Sequence, residues 1–274
     1  MILIVSSRMD VASLNIAKQI LNNYSFMKAA ENFQGNPVYD AEIGGKTVKL
    51  VTLSEESVYA QNLTVSFKNL ELTVFISRHS SLSGTPTLSV HTPGNLGEAE
   101  LGGLPRTVSV SPANTMRDAL KAMMKFKEEM RLDYEVCYEC THHGPSLDVP
   151  TMFAELGSSP VQWSDSKAAE AVAHATIKAV STFCESSATA VLGVGGPHYN
   201  AKFTRMALEK EIAFGHMIPK YALPNVDAEI LRQCVDRTLG KVECAVLDWK
   251  GIKGEHKARI VETLKTLNLA SQKV

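Results

Sequence analysis

The chain opens MILIVSSRMDVASLNIAKQIL, Met1 to Leu21, and this stretch sets the fold class. Met1 to Val5 is an unbroken apolar run of the length of a buried strand, and the polar Ser6-Ser7-Arg8 follows at once. Asp10 is a residue type that caps helix N-termini, and Val11, Leu14, Ala17 and Leu21 recur at the spacing of one helical face. A strand that leads into a helix is the opening unit of an α/β protein. The alternation continues outward from it. Gly44-Gly45 lies between residues 38–43 and 46–53, the two-residue signature of a hairpin. Residues 72–77, 107–111, 134–140, 151–156, 190–194 and 243–248 read as further strands. Residues 115–131, 165–184, 227–239 and 254–267 read as helices, and Met116, Leu120, Met123, Met124 and Met130 fall largely on one side of the first of these as a core stripe. Strands alternating with helices predict an α/β fold of three layers, α/β/α, around a mixed, mostly parallel sheet.

No repeat or linker divides the chain, so residues 1–274 read as one unit. The longest irregular stretch, residues 80–105 with five Gly and three Pro, together with the Gly44 hairpin, predicts a smaller lobe within about residues 36–110. The 28 Lys and Arg against 29 Asp and Glu exclude a strongly basic nucleic-acid coat protein. Charge is distributed unevenly: Lys250, Lys253, Lys257, Arg259, Lys265 and Lys273 outnumber Glu255 and Glu262, which makes the last 25 residues +4 and the rest −5. Five scattered cysteines, an odd number, fit reduced thiols in a cytoplasmic protein and not a secreted disulfide scaffold. The amino terminus lacks a basic leader region, and no apolar run reaches the ~18 residues of a membrane span.

The histidines carry the functional signal. His79, His91, His142-His143, His198 and His216 each come just after a hydrophobic segment, four of them beside Gly or Gly-Pro. In open α/β sheets, ligands bind outside the carboxyl ends of strands, where such imidazoles converge. One His in a loop is ordinarily a solvated or hydrogen-bonded residue; six in matching contexts point to a metal site built from a subset of them. Glu139 and Glu155 each interrupt an apolar strand pattern, and pair with the histidines as ligand partner or general base. The alternative, an edge strand with these carboxylates in solvent, stays open. His142 and His143 are neighbours in extended chain, so they are expected to point to opposite sides and to differ in role.

Other motifs fail on their letters. Cys137 and Cys140 have C-x-x-C spacing, but residues three apart in a strand face opposite ways, and no second pair exists. Gly193-Val194-Gly195-Gly196-Pro197-His198 begins like a dinucleotide fingerprint, yet its sixth position is His, and Pro197 removes a backbone donor. P-loop, zincin and serine-hydrolase signatures are absent.

Six motifs in order carry a resemblance: Ser77-Arg78-His79-Ser80-Ser81; Gly94-Asn95-Leu96-Gly97; Cys137-Tyr138-Glu139 with Thr141-His142-His143-Gly144-Pro145; Gly195-Gly196-Pro197-His198-Tyr199; Phe214-Gly215-His216 with Pro219-Lys220-Tyr221; and Asp248-Trp249-Lys250-Gly251. From Ser6 to Gly251 the chain resembles the archaeal and plant type of D-aminoacyl-tRNA deacylase, with Pro197 and Cys140 standing where Gly and Ala are usual. The resemblance implies hydrolysis of the ester between a D-amino acid and the tRNA terminal ribose, dependence on Zn2+, and a fold akin to peptidyl-tRNA hydrolases and nucleoside phosphorylases.

On that footing His79, His91, His142, His143, His198 and His216 are the candidate metal ligands, and His142, His143, Glu139 and Glu155 the candidate catalytic groups. Backbone amides at Gly144, Gly195 and Gly196 are expected to stabilise an oxyanion. Arg78, Lys202, Lys220 and Lys250 are expected to bind substrate, with Arg205, Lys253 and Lys257 as further phosphate contacts, and Tyr199 and Trp249 as stacking surfaces for the terminal adenine. The expected partner is D-aminoacyl-tRNA, with no DNA, no membrane and no second protomer. Rival readings are a metal-dependent peptidase or amidohydrolase of related fold, and a non-catalytic tRNA-binding protein.

Overall fold

A computed structural model describes residues 1–274. In chain order the elements are β1 (Ile2–Ser7), α1 (Val11–Asn23), β2 (Met27–Phe33), β3 (Asn36–Ile43), β4 (Lys46–Leu53), α2 (Leu63–Ser66), β5 (Leu72–Arg78), β6 (Thr87–His91), α3 (Ala113–Glu129), β7 (Glu135–Tyr138), β8 (Thr151–Gly157), α4 (Pro160–Trp163), α5 (Ser166–Ser181), β9 (Thr189–Val194), α6 (Ala201–Glu209), β10 (Ile212–Ile218), α7 (Ala228–Asp236), β11 (Val242–Leu247), α8 (Gly254–Thr266) and β12 (Ala270–Lys273). The opening strand and helix form as the sequence predicts, with the Asp10 carboxylate accepting from the Ser13 amide at 3.0 Å. Asp165 and Asp227 cap α5 and α7 in the same way, each satisfying two otherwise orphaned amides.

Eight strands form one sheet in the order β2-β3-β4-β1-β5-β8-β6-β7, and four form a second in the order β10-β9-β11-β12. The second is wholly parallel; in the first, β6 runs antiparallel to β8, and β3 antiparallel to β2 and β4. Strands β1 and β8 are buried along their whole length, which is why they read as mostly apolar runs, broken in β8 by Glu155, and not as alternating ones. Helices α1, α3 and α5 cover one face of the large sheet, where Ile4, Val74, Met116, Met123 and Val172 share a core. The methionine stripe is therefore packing, each fully buried side chain contributing roughly 1.5–3 kcal/mol. On the other face Leu3, Val5, Phe75 and Phe153 pack under Leu63 and Phe67. Helices α7 and α8 lie on the small sheet through Ile230, Leu231, Ile260 and Leu264. No helix is long and apolar enough to cross a membrane.

Four sequence expectations are corrected. Residues 80–105 are not all loop, because Thr87-Leu88-Ser89-Val90-His91 forms the fully buried β6. Residues 36–110 are not set apart as a lobe either, since β3, β4, β5 and β6 are spread through the large sheet. Residues 107–111 form only isolated bridges, such as Gly94 with Val108 and Val110 with Pro150. His91 and His216 lie inside strands, not beyond them.

Candidate active site

Strand register assembles the site. Ser77 of β5 pairs with Glu155 of β8, and Glu155 pairs with Ser89 of β6, so three polar side chains stand abreast on one face. Two residues to one side on the same face, Phe75, Phe153 and His91 pair across the three strands, and two residues to the other side His79 follows β5 beside Gly157. The Phe153 ring stacks on Phe75 at 4.7 Å and on His91 at 5.0 Å, giving the polar cluster a flat apolar floor. Gly157 makes room above it: a Cβ there would come within 2.6 Å of the His79 Cβ.

Two carboxylates bind the cluster together. Glu139, with no exposure, receives Ser89 Oγ and lies 3.2 Å from His79 Nδ1, 3.0 Å from His198 Nε2 and 3.7 Å from His142 Nε2. Glu155 accepts from Ser77 Oγ at 2.6 Å and stands 3.6 Å from His79 Nδ1 and 3.7 Å from His91 Nε2. Burial raises the pKa of both carboxyls, and for Glu155 the Glu139 charge adds to that rise. Hydrogen bonds and charge from the surrounding imidazoles outweigh this and leave both below the usual carboxylate range. For His79 the balance is reciprocal: burial alone lowers it, but Glu139 and Glu155 hold it up at about 10. Its Nε2 meets the Tyr199 hydroxyl at 2.6 Å, and His198 Nδ1 meets the Tyr221 hydroxyl at 2.9 Å.

His142 and His143 face the same cluster, contrary to the alternation expected of extended chain. The cause is the backbone of His143, whose φ of 42° lies in the left-handed region and turns the second ring back beside the first, at 4.2 Å between centroids. His142 Nδ1 donates to Cys140 O at 2.8 Å, and His143 Nδ1 to Gly144 O at 2.7 Å, so each ring keeps an unprotonated Nε2. Burial first, and then the neighbouring imidazoles, push His142 well below the ordinary range and His143 down to about 4, which keeps both neutral. His91 is fully buried with neither ring nitrogen hydrogen-bonded. Burial favours its neutral form, yet Glu155 and Glu139 pull its pKa upward, so positive charge is favoured at that point.

Ring nitrogens of His91, His142 and His143 lie within 4.8 Å of one another. Two orphaned nitrogens on a buried imidazole, beside two imidazoles oriented by backbone carbonyls, suit a bound cation: metal-ligating histidines are fixed by just such carbonyl contacts. Glu139, His142 and His198 make a second such group, and His79, Glu139 and Glu155 a third. The residues present therefore fit Zn2+, whose preferred donors are imidazole and carboxylate.

His216 does not join them. It is buried in β10, with Nε2 3.1 Å from Ser109 O and 3.3 Å from Arg237 O, and Nδ1 3.1 Å from Thr141 Oγ1. The amides of Gly144 and Gly195 are not free for an oxyanion either, because they donate to Leu101 O and Ile218 O at 2.9 and 2.8 Å. Gly144 is needed for close approach instead, since a Cβ on it would meet the backbone of Gly102 and Gly103. Gly195 and Gly196 pack against Ile252 and Asp248, behind the loop that presents His198.

A cleft of about 550 Å³ opens over the cluster. Arg78 lies on its wall, paired with Glu56 at 2.9 Å, and Val58, Tyr59 and Leu101 form an apolar side. Tyr199 lines it, with its ring edge-on to His79. Lys202 is tied to Asp248 and to Val274 O, while Lys220 and Lys250 are exposed and without a carboxylate partner. Lys257 and Lys273 lie over the Trp249 ring at 4.6 and 3.9 Å and compete with a base for it. Sequence reading gave no role to Ser77, Ser89, Tyr221 or Glu56, although Ser77 and Tyr221 stood within the motifs that carry the resemblance and both serines break apolar strands.

The chain is 38% identical to a D-aminoacyl-tRNA deacylase of Pyrococcus furiosus, with 97% of each chain covered. It is 37% identical to that of Thermococcus kodakarensis, with 92% of each covered. A solved crystal structure of a conserved protein of unknown function superposes with a TM-score of 0.88 at 28% identity, covering all of this chain and 95% of the other. The family model described as D-aminoacyl-tRNA deacylase matches residues 66–272, a span that contains every histidine and carboxylate of the cluster. The chain belongs to the D-aminoacyl-tRNA deacylase family.

Proposed function

We propose that this chain hydrolyses the ester bond of D-aminoacyl-tRNA, and that His91, His142 and His143 hold a zinc ion in doing so. The observation that carries the metal is the His91 ring, buried with neither nitrogen hydrogen-bonded and Glu155 3.7 Å from Nε2, beside two oriented, neutral imidazoles. When bound, zinc supplies Lewis acidity toward the ester carbonyl and lowers the pKa of water toward ~7.

The chain's own groups account for the rest. Hydrolysis places the hydroxyl of water on the acyl carbon and its proton on the departing ribose oxygen. Glu139 Oε2, between His142 and His198, is a buried, ionised acceptor for the proton of the attacking water. Glu155 and Ser77 brace the His79 side, and the His79 imidazolium with the Tyr199 hydroxyl is positioned to stabilise charge that develops on the substrate. Val58, Tyr59 and Leu101 provide the apolar wall for the amino-acid side chain, and Arg78 with Glu56 closes the far side. Lys220 and Lys250, on the flank of the loop bearing His198, are free to meet tRNA phosphates, with the chain acting as a monomer in the cytoplasm.

The test compares hydrolysis of D-tyrosyl-tRNA with that of D-tyrosine esters and peptides, before and after chelation, in protein purified without a histidine tag. Turnover confined to the tRNA ester, lost on chelation and restored by Zn2+, is the expected result. Full activity in metal-free protein removes the zinc, and preferential cleavage of the peptides removes the substrate.

A further inference from the structure

A groove of about 700 Å³ opens between the end of α1, the second half of α3 and the last turns of α5. It lies across the large sheet from the histidine cluster: Ala122 and Ile177 of its lining belong to the core under the helices, whereas Phe75 and Phe153 belong to the core of the opposite face. Its size falls in the range of small-molecule sites.

The walls divide into two chemistries. Lys121, Lys125 and Lys178 stand on the rim at exposed positions. Lys121 and Lys178 pair with no carboxylate, and Lys125 reaches only Glu129, 3.7 Å away on its own helix. The one carboxylate in the lining, Asp118, already accepts from the Thr182 and Ser186 hydroxyls at 2.9 and 2.6 Å. Three ammonium groups thus face one satisfied acid, an arrangement that disperses into solvent unless an anion comes between them.

The floor is aromatic. The Tyr24 hydroxyl meets His174 Nδ1 at 2.7 Å, and the His174 ring lies 4.9 Å from Phe126. Glu170, 3.6 Å from His174 Nε2, steadies the ring from behind. A planar ligand group rests on such a floor at little entropic cost, because these rings are already held by one another.

We propose that this groove binds a nucleotide, with its base against His174 and its phosphate among Lys121, Lys178 and Lys125, whose ammonium group lies 5.6 Å over the Phe126 ring. Phosphate and base are the shared chemistry of a free mononucleotide and of one residue in an RNA strand, and the inference is independent of the reaction in the cleft. Isothermal titration calorimetry on the full chain with AMP, and separately with a short single-stranded RNA, distinguishes the two sources. The double variant Lys121→Ala/Lys178→Ala changes only exposed side chains, so it keeps the wild-type melting temperature. Loss of two charge-assisted contacts is expected to weaken binding by about tenfold or more. AMP binding that weakens in the variant assigns a free nucleotide; RNA binding alone that weakens assigns a strand. Binding of neither probe, or binding undiminished in the variant, overturns the proposal.

Discussion

Replacing His216 with Gln separates a structural histidine from the cluster it was expected to join. An Nε2–H tautomer satisfies the site completely: it donates to Ser109 O and Arg237 O and accepts from Thr141 Oγ1. Burial disfavours the cation, only partly offset by the two carbonyl bonds, and Arg237 adds repulsion, so the pKa is pushed down from 6.5 to about 4. A base depressed in this way lends its full stability above 6.5 and loses it as pH falls toward 4. Between about pH 7.5 and pH 4.5 that loss amounts to about 2.5 kcal/mol. Gln keeps a donor for the carbonyls but does not titrate. Urea unfolding of both proteins at the two pH values, followed by circular dichroism, therefore shows the wild type losing about 2.5 kcal/mol more than His216→Gln. Titration of Glu139, Glu155 and His143 is common to both proteins and cancels in the difference. Equal losses in the two would refute the assignment of His216 as a neutral structural group, and so would a fall in bound zinc in the variant.

Because His142 and His143 share one orientation, their Ala variants are expected to behave alike, each losing turnover by ~100-fold or more while remaining folded; a variant that keeps near-normal deacylation removes that residue from the site. Gly157→Ala presses a methyl group to within 2.6 Å of the His79 Cβ, so kcat should fall by about tenfold or more through a displaced imidazole, measured beside a melting curve. An unchanged kcat shows that His79 need not hold its place. Asp10 is buried, and desolvation, opposed by the amides of Ser13 and Arg78, raises its pKa to about 6. A raised carboxyl stabilises most below the unfolded value of 3.8 and loses that contribution as pH rises through 6. Relative to wild type, Asp10→Asn should then gain about 2 kcal/mol between about pH 4.5 and pH 7, whatever its constant offset. A pH-independent difference refutes the shift.

The opening strand and helix, the Gly44-Gly45 hairpin and the capped helices were legible because local chemistry decides them: apolar runs, Asp caps and a turn that demands positive φ. Strand β6 was not. Its five residues sit between Gly84-Pro86 and Pro93-Gly94, and only pairing with β7 and β8, distant in sequence, makes them a strand. The convergence of five histidines could be read from their places after apolar segments, while the sixth, His216, had the same local signature and was set apart by tertiary packing. Nor could amides at Gly144 and Gly195 be known to be engaged, since their acceptors, Leu101 and Ile218, lie 43 and 23 positions away in the sequence. The shared direction of His142 and His143 depends on one backbone angle that no residue pattern announces.

The register that sets Ser77 beside Glu155 also ties the site to the order in which the chain folds. Ser77 and Glu155 are 78 residues apart, Ser89 and Glu139 are 50 apart, and His79 and Tyr199 are 120 apart. Closing such loops is slow, and the set of contacts is complete only once β5, β6, β7 and β8 have all taken their places. A chain still being synthesised, or one that has lost any of these strands, has no pocket for an ion to occupy. The cation proposed for this site would thus report that these strands are in register, and its binding free energy would be shared by each of them.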